Sequence, residues 1–162
     1  MSNFKLYDRE FLHFSHRLGN DPLQVQGAGG NTSIKNENYM WVKASGKELS
    51  DSLSEDIFVP VNINLIRDSV SSDNNQDIMK AVMDKNIKLR PSIETTFHAC
   101  LNWSIVAHTH SVSTLVHAIS EKGIKIAKEK LNDMPLSVIK YIKPGIDPVS
   151  YTHLRAHETM EY

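Results

Sequence analysis

Arg90-Pro91-Ser92-Ile93-Glu94-Thr95-Thr96-Phe97-His98, followed ten residues later by His108-Thr109-His110, supplies a carboxylate and two closely spaced imidazoles within one short stretch. Pro91 cannot continue a preceding helix but suits the start of a new one, and Ser92 can cap it. That reading puts Glu94 in the first turn, ahead of Phe97, Ala99, Cys100 and Leu101. The β-branched and apolar content of residues 104–108 predicts a strand. Side chains two apart on a strand share a face, so the rings of His108 and His110 can converge on one ion. Glu94 lies on a different element and is left free to act as a base rather than a ligand.

Working outward, residues 3–18 carry Phe4, Leu6, Phe11, Leu12, Phe14 and Leu18 among charges, which predicts an amphipathic first helix ending at Gly19-Asn20. Gln26-Gly27-Ala28-Gly29-Gly30-Asn31-Thr32-Ser33-Ile34-Lys35 is a glycine-rich turn running into a strand. Tyr39-Met40-Trp41-Val42-Lys43-Ala44 follows an Asn-Glu-Asn turn as the second arm of a hairpin. Ile57-Phe58-Val59-Pro60-Val61 is a third strand candidate, residues 69–76 a polar loop and residues 77–85 a helical run. Beyond His110, residues 112–120 repeat Val112, Leu115, Val116 and Ile119 at helical spacing, and residues 136–142 predict a further strand. Helices mixed with strands imply an α/β or α+β sheet domain.

Composition limits the function classes. With 162 residues and 40% hydrophobic content, the chain is long enough for one domain with a real core. Eighteen basic against nineteen acidic side chains give a formal net charge of −1, which removes the electrostatic argument for a nucleic acid or an anionic membrane surface. Any phosphate must be bound locally. One cysteine, Cys100, excludes an internal disulfide framework. The chain shows no secretory pattern and no apolar run long enough to span a bilayer, so a reducing cytoplasm is the default expectation.

Each motif also has a plain structural reading. A His-x-His strand end is often a satisfied core or surface feature. Gly27, Gly29 and Gly30 make either a tight turn or an anion-binding concavity of backbone amides. Asn31, Ser45, Gly46 and Ser92 suit turns and caps as well as anion contacts. Glu94 near a helix start is also a favourable charge for the helix dipole. His98 is expected to pack, Cys100 to be a small buried hydrophobe, and Trp41 and Trp103 to belong to the core.

The combined order, Gly30-Asn31-Thr32-Ser33, then Ala44-Ser45-Gly46, then Pro91-Ser92-Ile93-Glu94 with His98, then His108-Thr109-His110, resembles the class II aldolase/adducin family. Within it, Gly29 to Ser33 and Trp41 to Gly46 are most similar to the branch of rhamnulose-phosphate aldolase domains fused to dehydrogenases. The resemblance implies a three-layer α/β/α fold around a mostly antiparallel sheet, incomplete at its C-terminus, and a cytoplasmic homotetramer. It implies Zn2+ or another divalent metal on His108 and His110, with Glu94 as catalytic acid/base. Gly30, Asn31, Ser45, Gly46 and Ser92 would form the cradle for a small-molecule sugar phosphate. The implied activity is zinc-dependent aldol cleavage or condensation through an enediolate. Ketopentose-phosphate 4-epimerisation, sugar-phosphate dehydration and a non-enzymatic adducin-like assembly module are the alternatives.

Two departures from the family pattern stand out. Ile93 occupies the place where many members have a second serine, and the third histidine of the usual set belongs to a later His-Gly segment that this chain does not contain. The final stretch, Val149-Ser-Tyr-Thr-His-Leu-Arg-Ala-His-Glu-Thr159, resembles a translated sequencing-adapter end. The expected organisation is therefore a partial aldolase domain over residues 1–148 and a non-native tail over 149–162, with His153 and His157 set aside as part of that tail.

Overall fold

Asn31–Lys35 (β1) and Tyr39–Lys43 (β2) form the predicted hairpin, closed by Asn36, whose side-chain oxygen accepts from the backbone of Asn38 and Tyr39 at 2.9 and 2.8 Å. The computed structural model describes residues 7–71 and 78–134, together with Val138. Phe58–Asn62 (β3) pairs with β2, and Ile105–His108 (β4) pairs with β1. All pairings are antiparallel, giving a four-stranded sheet in the order β3-β2-β1-β4. The fold is the expected α/β one, with helices covering both faces of this sheet.

Strand alternation sorts the two cores. Trp41 stands opposite Ile34 on one face, where both pack with Phe58 against the helix Arg9–Gly19 (α1). Tyr7, Phe11, Leu49 and Ile57 complete this cluster, and Tyr7 meets Trp41 edge-on at 5.0 Å. On the other face Met40, Val42, Val59 and Val61 are fully buried beneath Ile63–Ser71 (α2) and Thr95–Cys100 (α3), with Ile66 and Ala99 in contact. Burying each such side chain stabilises the fold by about 1.5–3 kcal/mol before entropy is charged against it. Val112–Ala118 (α4) and Glu121–Lys130 (α5) follow β4 and pack on one another.

Several sequence expectations need correction. Trp103 is 71% exposed, because it lies in the turn between α3 and β4, outside both cores. Of the helical run expected over 77–85, the described residues 78–85 form no α-helix; one 3-10 turn, Ile78–Ala81, is cut short where Val82 bridges to Val61. The stretch read as polar loop from residue 69 begins as the end of α2, a helix that alternation alone did not reveal. Its signal is Asn62, whose side-chain oxygen accepts from the backbone of Asn64 and Leu65 at 2.9 and 3.2 Å. α1 begins at Arg9, where Asp8 accepts from the Phe11 amide. The strand expected over 136–142 and the tail from 149 lie outside the described residues.

Candidate metal centre and substrate cleft

Antiparallel pairing brings the start of β1 and the ends of β2 and β4 to one edge of the sheet. Asn31, Lys43 and His108 are therefore neighbours in space, with Asn31 directly opposite His108. Residues 90–92 join this edge as extended chain rather than helix. Ser45 donates its amide to Arg90 O at 2.8 Å, Ser92 donates to Lys43 O at 3.2 Å, and Pro91 bridges to Ala44. The helix then starts one step later than expected. Ser92 O accepts from Thr95 N and Oγ1, the Glu94 amide reaches Ser92 Oγ at 3.3 Å, and α3 begins at Thr95 with Glu94 just before it. This turn aims Glu94 at the strand end instead of along the helix.

Glu94 Oε1 lies 2.6 Å from His108 Nδ1. His110 is just past the end of β4, yet its ring still converges on His108, with centroids 5.0 Å apart at 64°. Its backbone amide donates to Gln24 O at 2.8 Å, which ties it to the loop before the glycines. One ligand atom from each of Glu94, His108 and His110 lies within 4.8 Å of the others. Glu94, expected to stand apart as a base, is thus within ligand reach as well.

The donor set fits a divalent cation. One carboxylate and two imidazoles are a common zinc-binding combination. Despite its closeness to Glu94, the buried His108 Nδ1 makes no hydrogen bond of proper geometry, so the pair is placed for something both can bind.

The electrostatics agree with an ionised Glu94. Burial pushes its carboxyl up, but His108, the Asn31 amide and His98 together outweigh that, and the pKa falls below the usual carboxylate value. Asn31 is fully buried and, although near enough to favour the charge on Glu94, neither of its amide atoms makes a well-formed hydrogen bond with the protein. His98 packs as expected: it is fully buried, 2.7 Å from Ser33 Oγ, and burial lowers its pKa to about 4. Cys100 is half-buried, and burial raises its thiol, so it has no activated character.

Beside this cluster opens a cleft of about 200 Å3. Gly30, Ser45, Gly46, Ser92, Glu94 and His110 all line it, so the structure gathers most of the residues singled out in sequence. Asn31 and His108 are not among its lining residues. Gly30 and Gly46 have φ of +65° and +75°, which only glycine adopts freely, and a Cβ at Gly30 would meet Val25 at 2.8 Å and His108 O at 3.1 Å. Ile93, where a second serine was expected, lines the cleft with 79% exposure. Sequence reasoning missed Lys43, which also lines it. The residue is 2% exposed, and burial lowers its pKa against the opposing pull of Glu94 and Glu48.

The family model described as Class II Aldolase and Adducin N-terminal domain matches residues 9–161. This chain belongs to the class II aldolase/adducin family. Its fold is also that of a solved structure, the N-terminal class II aldolase domain of a conserved protein from Thermoplasma acidophilum. The two share a TM-score of 0.78 and 24% identity over 96% of this chain and 78% of that one. The uncharacterized oxidoreductase YuxG of Bacillus subtilis (strain 168) is 29% identical to this aldolase-family chain over 152 residues, covering 84% of the chain. The chain spans only 22% of the length of that curated relative. Among the described residues, no helix is long and apolar enough to cross a membrane.

Proposed function

We propose that this domain carries the active site of a divalent-metal-dependent aldehyde-lyase that cleaves or forms a carbon–carbon bond in a small sugar phosphate, with zinc the expected ion. The observation that carries the reading is the convergence of Glu94, His108 and His110 beside a glycine- and serine-lined cleft. His108, His110 and, before substrate arrives, Glu94 would hold the ion. A metal bound there supplies a Lewis acid for the substrate's carbonyl oxygen.

The chain's own residues account for the rest. Glu94 is ionised at neutral pH and half-buried, so it can take a proton from the substrate hydroxyl or the carbon beside the carbonyl and return it in the reverse direction. Gly30, Asn31, Ser45, Gly46 and Ser92 would hold the distal phosphate and orient the reacting carbon, converting remote binding energy into position. The same proton transfer serves 4-epimerisation and dehydration, which remain the alternatives for the reaction. The presence of Glu94, His108 and His110 together argues against a purely structural, adducin-like role.

YuxG is named an oxidoreductase and is several times longer than its match with this chain, which supports the branch in which an aldolase domain accompanies a dehydrogenase. Trp103, Leu115, Val116 and Ile119, between 48% and 81% exposed on β4's side of the molecule, support assembly as a homo-oligomer. A cytoplasmic location goes with this reading.

The test is cleavage of a panel of ketose 1-phosphates by the full-length protein and its Glu94→Gln variant, with metal content measured on both. The variant is expected to keep the metal through His108 and His110 while losing turnover by about 10²–10⁴-fold. Unchanged turnover would remove Glu94 from the chemistry.

A further inference from the structure

Lys43 ends β2 at the edge of the sheet where the cleft opens. Its ammonium is one of the most deeply buried charges among the described residues, and two of its three donor positions are engaged by backbone carbonyls. Nζ donates to Ala28 O at 2.9 Å and to Lys47 O at 2.6 Å. Ala28 belongs to the glycine loop and Lys47 closes the Ser45-Gly46 turn, so one side chain joins the two walls of the cleft. Carbonyls solvate an ammonium but do not neutralise it, and among the described residues no carboxylate lies within ion-pair distance of Nζ. Glu94 is the strongest acidic influence on it, and that carboxylate stands 2.6 Å from His108 Nδ1. A buried charge with no formal counter-ion costs stability unless a ligand completes it.

The groups around Lys43 indicate what that ligand is. Backbone at Gly30 and Gly46, and the hydroxyls of Ser45 and Ser92, offer donors to a tetrahedral oxyanion, while Ile93 withholds one. We propose that Lys43 is the cation that selects the anionic end of the substrate, a phosphate, and that its charge takes over the share of binding which a serine at Ile93 would supply. This rests on the cleft being the substrate site, but it does not depend on which reaction follows or on the metal. Lys43 acts in two ways: it sets the distance between the glycine loop and the Ser45-Gly46 turn, and it places a fixed positive charge beneath the phosphate.

Lys43→Gln separates these two actions, because an amide still donates to backbone carbonyls but carries no charge. Titration of wild type and variant with inorganic phosphate by calorimetry, with circular dichroism to check folding, is expected to show phosphate affinity falling roughly tenfold or more while the fold is kept. Equal affinity in the folded variant overturns the proposal. If the variant fails to fold, wild-type NMR decides: phosphate must shift the amides of Gly30 and Gly46 and the Lys43 side-chain resonances together, and the absence of such shifts overturns it. Acetate binding as tightly as phosphate would also overturn the assignment to a phosphate. Zinc content measured on the same samples keeps the two readings distinct. Phosphate binding without zinc leaves Lys43 in its role and removes the metal centre, whereas zinc binding without phosphate removes Lys43 from its role and leaves the metal centre.

Discussion

The backbone of Gly29 lies against the ring of His110, so close that a Cβ on Gly29 would stand 3.0 Å from Nδ1 and 3.2 Å from Cε1. The glycine loop is therefore a wall that holds a candidate metal ligand in place, as well as a source of amides for the cleft. Gly29→Ala is expected to displace both the His110 ring and the Gln26 carbonyl, which its Cβ would meet at 2.9 Å, and so to weaken zinc binding by at least about tenfold. A competitive chelator titration checks this. Unchanged zinc affinity would show that the ring position does not depend on the loop.

The burial of His98 predicts a pH dependence of stability. Its folded pKa, about 4, lies below the ordinary 6.5, so the unfolded chain binds the extra proton first as the pH falls. The stability this group contributes is complete above pH 6.5 and is lost progressively toward pH 4, by up to roughly 3 kcal/mol. Urea unfolding across this range should show the wild type losing stability more steeply than His98→Gln. Parallel slopes would assign the effect to other groups.

Gly19 ends α1 where it touches the 3-10 turn Leu49–Leu53, and a Cβ there would lie 2.2 Å from Ser50 N and 2.6 Å from the Leu49 carbonyl carbon. Backbone cannot move aside as a flexible side chain can. Gly19→Ala is expected to lower stability by about 1–3 kcal/mol, even though alanine is the better helix former. A thermal midpoint equal to or above that of the wild type would contradict this close approach.

Asp8 caps α1 by accepting from the Phe11 amide at 2.9 Å, and Phe11 is one of the buried rings of the core on that face. Asp8→Ala is expected to cost about 1 kcal/mol and Asp8→Asn much less, because both aspartate and asparagine supply the capping oxygen. Equal losses in the two variants would point to charge rather than the hydrogen bond.

The readings that held are those set by short-range chemistry. Asn36-Glu37-Asn38 reads as a hairpin turn because an Asn side chain bonds backbone two and three residues on. His108 and His110 read as a pair because they are two apart at a strand end. The readings that failed depend on what arrives from elsewhere in the chain. Pro91-Ser92 looks like a helix start in isolation, but pairing with Lys43 and Ala44 keeps it extended and delays the helix to Thr95. Trp103 looks like core by residue type, yet among the described residues no second layer covers the turn it occupies.

By itself, the sequence determined the alternation that builds an antiparallel sheet, the glycines that only a left-handed turn explains, and the identity of the carboxylate and imidazoles. All of these are encoded within a few residues of one another. The tertiary structure alone decided that Glu94 comes within 2.6 Å of His108 and that Lys43 is buried between two loops. The physical reason is that both depend on strand register: antiparallel pairing gathers the start of β1 and the ends of β2 and β4 at one edge, and distances across that edge are not written in local spacing.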